Sequence, residues 1–169
     1  MTDRAVLLAE RFLQVHGDVL AVLDQCSDDQ WKMLCVEEGE SIAVVMHHIA
    51  VAYAIEVDLI RATLTGQLAP AIYTDEALLH QWHADHAQQF QGCGQDETRA
   101  LLDRNATTTA SFLAGVNDDQ LNVTIHIPQI VRWWGQPPSI ERVIEDLIIG
   151  HPSAHLASIR TTVRSEAQP

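Results

Sequence analysis

Basic residues are scarce in this chain: ten Lys and Arg stand against 23 Asp and Glu, a formal net charge of -13 over 169 residues. A nucleic-acid surface must be met with cations that neutralise phosphates, and an anionic membrane makes the same demand, so the composition argues against both partners. Cysteine is nearly missing as well. Cys26, Cys35 and Cys93 are odd in number and form no C-x-x-C pair, which counts against a disulfide framework and a thiolate zinc site and fits a reducing cytoplasm. Residues 1–18 lack the apolar run of a signal peptide, and no later stretch reads as long enough to span a bilayer, so the expectation is a soluble, unanchored protein. Familiar catalytic signatures are missing too: there is no H-E-x-x-H, G-x-S-x-G, P-loop or dinucleotide fingerprint. No Asp or Glu stands three residues before any histidine, which removes the Glu-x-x-His ligands of di-iron bundles.

What the chain does have is helical periodicity and nine histidines. Ala5, Leu8, Phe12, Val15, Val19, Val22 and Cys26 recur in alternating steps of three and four, the seam of a bundle helix. Ser27-Asp28-Asp29-Gln30 matches a capping box that ends this first helix and starts a short turn. A second helix is expected from residue 41 to about 64, with Gly66 as its stop signal. An intervening helix over residues 74–90, capped by Thr74, precedes a third over residues 96 to about 115. Residues 117–138 turn irregular, with Val123, Ile125 and Ile127 alternating as a short extended piece. Ser139 then opens a fourth helix through Ile140, Val143, Ile144, Leu147 and Ile148.

An internal echo supports this division. Ser-Asp-Asp-Gln-Trp at 27–31 and Asn-Asp-Asp-Gln-Leu at 117–121 are each followed by a Ser-Ile that opens the next helix, at 41 and 139. The pattern predicts one domain over 1–169: an all-α, four-helix bundle in which a long crossover between helices 2 and 3 carries an extra helix.

His151 and His155 stand four residues apart in the fourth helix, which stacks two imidazoles on one face. His48 shares its face of the second helix with Val45, Ala52, Ile55 and Leu59, whereas His47 falls with Glu40, Val44, Val51 and Asp58, so His48 reads as the inward one. If the two helices run antiparallel, the three rings reach one layer and offer three of the four positions around zinc or nickel, the fourth left for water or substrate. Nine histidines produce a four-residue pair readily by chance, and the same pattern suits core histidines bonded to backbone. His80, His83 and His86 fan around the intervening helix and belong at its surface or interface, with His83 the one placed to approach the site. Asn105 and Thr108 interrupt the apolar seam of the third helix, as a polar cavity lining or a satisfied buried pair would. Trp133 and Trp134 either roof the cavity or anchor their loop. Pro152, between the paired histidines, lacks the N–H owed to the Ile148 carbonyl, which predicts a kink or restart.

Ser-Ile-Ala-Val-Val-Met-His-His-Ile-Ala (41–50), Ser-Ile-Glu-Arg-Val-Ile (139–144) and Gly-His-Pro-Ser-Ala-His-Leu-Ala-Ser-Ile-Arg (150–160) resemble the DinB-like superfamily of metal-binding four-helix bundles. That superfamily includes the metal-binding domain of mycothiol-dependent maleylpyruvate isomerase and bacillithiol-type thiol transferases. The resemblance implies a divalent metal, zinc or nickel, held by His48, His151 and His155. It also implies a small-molecule substrate, with a low-molecular-weight thiol as one candidate, and a homodimer as a common assembly. Thiol transfer or hydrolysis is the expected chemistry; a non-catalytic metal- or ligand-binding bundle is the alternative. No residue pattern names a general base.

Overall fold

The computed structural model describes residues 3–166. In chain order it contains α1 (Asp3–Gln25), α2 (Asp28–Trp31), β1 (Leu34–Cys35), β2 (Glu40–Ser41) and α3 (Ile42–Thr65). A 3-10 turn (Ala71–Tyr73) and α4 (Glu76–Phe90) follow, then α5 (Gln95–Gly115), α6 (Asp118–Leu121) and α7 (Pro128–Trp134). The last helical run comprises α8 (Ile140–Val143), a π-helical segment (Ile144–Gly150) and α9 (His151–Glu166). The four long helical stretches form the expected bundle, and residues 66–94 are the crossover that carries α4.

The three-and-four spacing of α1 places Ala5, Leu8, Phe12 and Val19 in the core, while Val15, Val22 and Cys26 are half-buried and Leu23, outside the expected seam, is buried in place of Val22. Helix directions follow from paired side chains. Arg4 reaches Glu141 at 2.5 Å and Arg11 reaches Glu145 at 2.8 Å, so α1 and the last helical run are parallel. Asp24 pairs with Arg99 and His16 with Asp103, which sets α1 and α5 antiparallel. Asn105 Nδ2 donates to the Ala50 carbonyl at 2.6 Å and Thr109 Oγ1 to the Tyr53 carbonyl at 3.4 Å. Helices α3 and α5 therefore run parallel, a relation that a tight turn cannot make and a long crossover can.

The internal echo is structural. Ser27 with Gln30 and Asn117 with Gln120 form matching reciprocal caps at the starts of α2 and α6. Each short helix leads into an extended piece that pairs with the residues before a long helix. In the first half, β1 pairs with β2 and the Ile42 N–H donates to the Met33 carbonyl. In the second half the pairing shrinks to one bridge, Thr124 with Ser139, and the Ile140 N–H donates to the Val123 carbonyl. Ser41 and Ser139 then cap α3 and α8 in the same way.

Several expectations need correcting. The cap of α4 is Asp75, which accepts from the Ala77 N–H at 2.7 Å, one residue beyond Thr74. The 117–138 region holds two helices, α6 and α7, that flank the short extended piece, which forms one bridge at Thr124. Asn105 and Thr109 bond backbone carbonyls of α3, and Thr108 is exposed, so none of them lines a central cavity. Among the described residues one helix, Ile42–Thr65, is long and apolar enough to cross a membrane, with mean hydropathy 1.6, where the sequence reading found none. Its most apolar window is 72% buried inside the protein, so bundle packing accounts for its composition.

Candidate metal centre

The last helical run passes Pro152 without a break. Pro152 has no N–H, and in an α-helix its ring would press on the carbonyl four residues back. Here the chain widens to π geometry over Ile144–Gly150 and returns to α at His151, whose φ of -58° and ψ of -50° are helical. A Cβ on Gly150 would lie 3.1 Å from the Glu145 carbonyl oxygen, five residues back, so the residue at the end of the wide turn is the one without a side chain. The expected kink or restart is thus replaced by a π segment, and His151 stays on the inner face.

His48, His151 and His155 converge as their spacing predicts, and each offers a nitrogen within 4.8 Å of the others. The His151 Nε2 lies 2.8 Å from the His155 Nε2 and 3.2 Å from the His48 Nε2. Behind the rings stand two carboxylates absent from the sequence reading. Glu56, on α3 and 2% exposed, accepts from His151 Nδ1 at 3.0 Å. Glu38, in the turn between β1 and β2, places Oε1 3.0 Å from His155 Nδ1 but outside hydrogen-bond geometry. The signal for Glu56 was present: it is an acid eight residues after His48 within the apolar stretch 49–57 of α3. Glu38 had none, because the hairpin that delivers it was not foreseen.

Protons decide what this arrangement fits. In a neutral ring a carboxylate facing Nδ1 keeps the proton on that nitrogen and leaves Nε2 as a lone pair; Glu56 does this to His151 through a hydrogen bond, and Glu38 favours it in His155 through its charge. Two lone pairs 2.8 Å apart repel unless a proton or a cation lies between them. Burial, and then the neighbouring imidazoles, push His48 down to about 2, and burial also lowers His155. Burial acts against charge on His151 too, but the Glu56 hydrogen bond and the charges of Glu56 and Glu38 overcome it and hold that ring above its ordinary value. His48 and His155 are therefore neutral bases at neutral pH. Nitrogens bound to one zinc at ~2.0–2.1 Å stand about 3.3 Å apart in a tetrahedron, close to the separations around His151. Donor set, protonation and backing carboxylates all fit a divalent cation.

The remaining histidines of α3 and α4 fall into three groups. His47, expected to face outward, is buried under α4: its Nδ1 lies 2.9 Å from His86 Nε2, and its ring stacks on Phe90 with centroids 3.8 Å apart. The docking of α4 therefore buries both faces of α3 at this level. His86 is buried by the same contact, while His80 is exposed. His83 does approach the site, with its ring centroid 5.3 Å from that of His48. Of the tryptophans, Trp134 anchors its loop by donating Nε1–H to Asp146 at 2.7 Å, whereas Trp133 stands in a cavity wall beside Tyr73.

No protein-family model matches the sequence, and no curated protein matches it. Among solved structures the chain is similar to YfiT from Bacillus subtilis, described as a probable metal-dependent hydrolase with an unusual four-helix bundle topology. The two superpose with a TM-score of 0.69 at 19% identity, over 95% of this chain and 89% of that one. A likeness at that identity establishes the fold, an all-α four-helix bundle, and leaves the chemistry to the residues of the site.

Proposed function

We propose that this protein is a metal-dependent enzyme of the DinB-like type that hydrolyses a small molecule, with His48, His151 and His155 as the ligands of one divalent cation, zinc or nickel. The observation that carries this reading is the trio of Nε2 atoms backed by Glu56 and Glu38. Bound there, the cation supplies Lewis acidity and lowers the pKa of a coordinated water or thiol. The chain's own residues do the rest. Glu56 fixes the tautomer and ring plane of His151, and Glu38 favours the same tautomer in His155. His83 belongs to no ligand set and faces both cavities that border the trio, so it is the imidazole placed to carry a proton to or from the reacting group. Three ligands leave a coordination position, and the flanking cavities give a reactant access to it, which favours catalysis over a closed structural site. A low-molecular-weight thiol reaches the same position, so thiol transfer uses the same residues.

The test is turnover across ester, amide and thiol-plus-electrophile panels, before and after chelation. Activity should vanish with chelator and return with the divalent ion. His83→Gln should lower turnover by roughly 10²–10⁴-fold at unchanged metal content. Activity indifferent to chelation would contradict the proposal, and metal uptake with no turnover on any panel would favour a binding module.

A further inference from the structure

Two cavities meet at the imidazole trio, and they differ in chemistry. One, of about 240 Å³, has Glu38, Glu40, His83 and His86 in its wall. The other, of about 140 Å³, is walled by Tyr73, Leu79, Trp82, Trp133 and Leu147, and also borders on His48, His151 and Glu56. The whole chain holds four Trp and two Tyr, and two of those Trp and one Tyr stand in this wall.

We infer that the second cavity is a specificity pocket for one compact apolar ring, which the substrate inserts beside the metal-binding nitrogens. The inference rests on the proposed metal-dependent function for the identity of that substrate. Size sets the limit: a closed apolar protein cavity of ~150 Å³ accepts benzene, so this half-open space of about 140 Å³ has room within its walls for one six-membered ring, and the second ring of a fused pair gains no further wall contact. Shape sets the preference. Trp82 is held by stacking on His86, with centroids 5.3 Å apart and planes 27° from parallel. Tyr73 and Trp133 meet edge to face at 6.3 Å and 75°. Aromatic walls held in place by their neighbours lose little freedom when a ring enters, and they favour offset or edge-on contact with it over contact with a flexible alkyl chain. A small polar molecule leaves the same walls unfilled.

Neutral probes with a common head group separate ring from head. Binding of benzamide, acetamide and 2-naphthamide is followed by ligand-observed NMR and tryptophan fluorescence, on the protein as purified and after chelation. Benzamide should bind about tenfold or more tighter than acetamide, and 2-naphthamide no tighter than benzamide. Leu79→Trp fills the cavity from half-buried α4 and should weaken benzamide about tenfold or more at unchanged metal content. Trp133→Ala, which removes a wall at a partly exposed position, should do the same if Leu79→Trp fails to fold. Glu40→Gln, in the other cavity, should leave benzamide binding alone. Equal binding of benzamide and acetamide, or benzamide binding indifferent to both cavity variants, overturns the inference. Ring preference in protein that takes up no metal would support the pocket while contradicting the metal centre. Metal uptake without ring preference would contradict the pocket alone.

Discussion

At the scale of single residues, the site depends on carboxylates as much as on imidazoles. Glu56 is a buried acid whose Oε1 accepts from His151 while Oε2 has no partner among the described residues. Glu56→Gln keeps an acceptor but removes the charge that holds the proton on Nδ1 and makes the metal-facing Nε2 of His151 more basic, and should weaken metal affinity roughly 10–100-fold with the fold intact. Competition with a chromophoric chelator measures this, and unchanged affinity would show that Glu56 is a spectator. The histidines also make stability depend on pH. In His16, His47, His83 and His155 burial lowers the folded-state value, and it takes His86 to about 4 and His48 to about 2. Each of these takes up its proton more readily when unfolded. Their stabilisation is thus complete above the unfolded value of ~6.5 and is lost as pH falls towards the folded values. His151 is raised and has the opposite sense: its contribution is full below ~6.5 and is lost as pH rises through its folded value. Six groups outweigh one, so the urea midpoint of metal-free protein should fall between about pH 7.5 and 5.5. His16→Gln, remote from the metal centre, should flatten that slope; a midpoint that rises on acidification would contradict the assignment.

At the scale of elements, what was legible followed from period and caps. The seam of α1 at Ala5, Leu8, Phe12 and Val19, the Ser41 start and Gly66 stop of α3, and the Ser27 capping box are local chemistry, and the structure realises each of them. Ser41 accepts from the Val44 N–H at 3.3 Å at the start of the helix that carries His48 and Glu56. Ser41→Ala should cost about 1 kcal/mol, a fall in Tm of roughly 2–4 °C by thermal melting, and no change would mean that the β1–β2 pairing alone defines the helix start. The illegible elements were those set by tertiary contact. The burial of His47 depends on α4 docking over it. The π segment is a backbone answer to Pro152 that spacing arithmetic reads as a kink. The turn presenting Glu38 follows a strand of only two residues, too short for an alternation to show.

At the scale of the whole molecule, the long crossover sets α3 and α5 parallel and brings α3 against the last helical run. His48 and His151, 103 residues apart in sequence, then meet. The histidine trio was readable from spacing and resemblance, while its supporting carboxylates and the two cavities emerged only from the packed bundle. The central claim is that this packing builds a site for one divalent ion. Elemental analysis of protein reconstituted with zinc or nickel and then desalted tests it most directly. The account predicts about one equivalent per chain for the native sequence, and close to none for His48→Ala, His151→Ala or His155→Ala proteins whose helical circular dichroism is unchanged. Native protein that takes up no metal, or folded variants that retain it in full, would contradict the account.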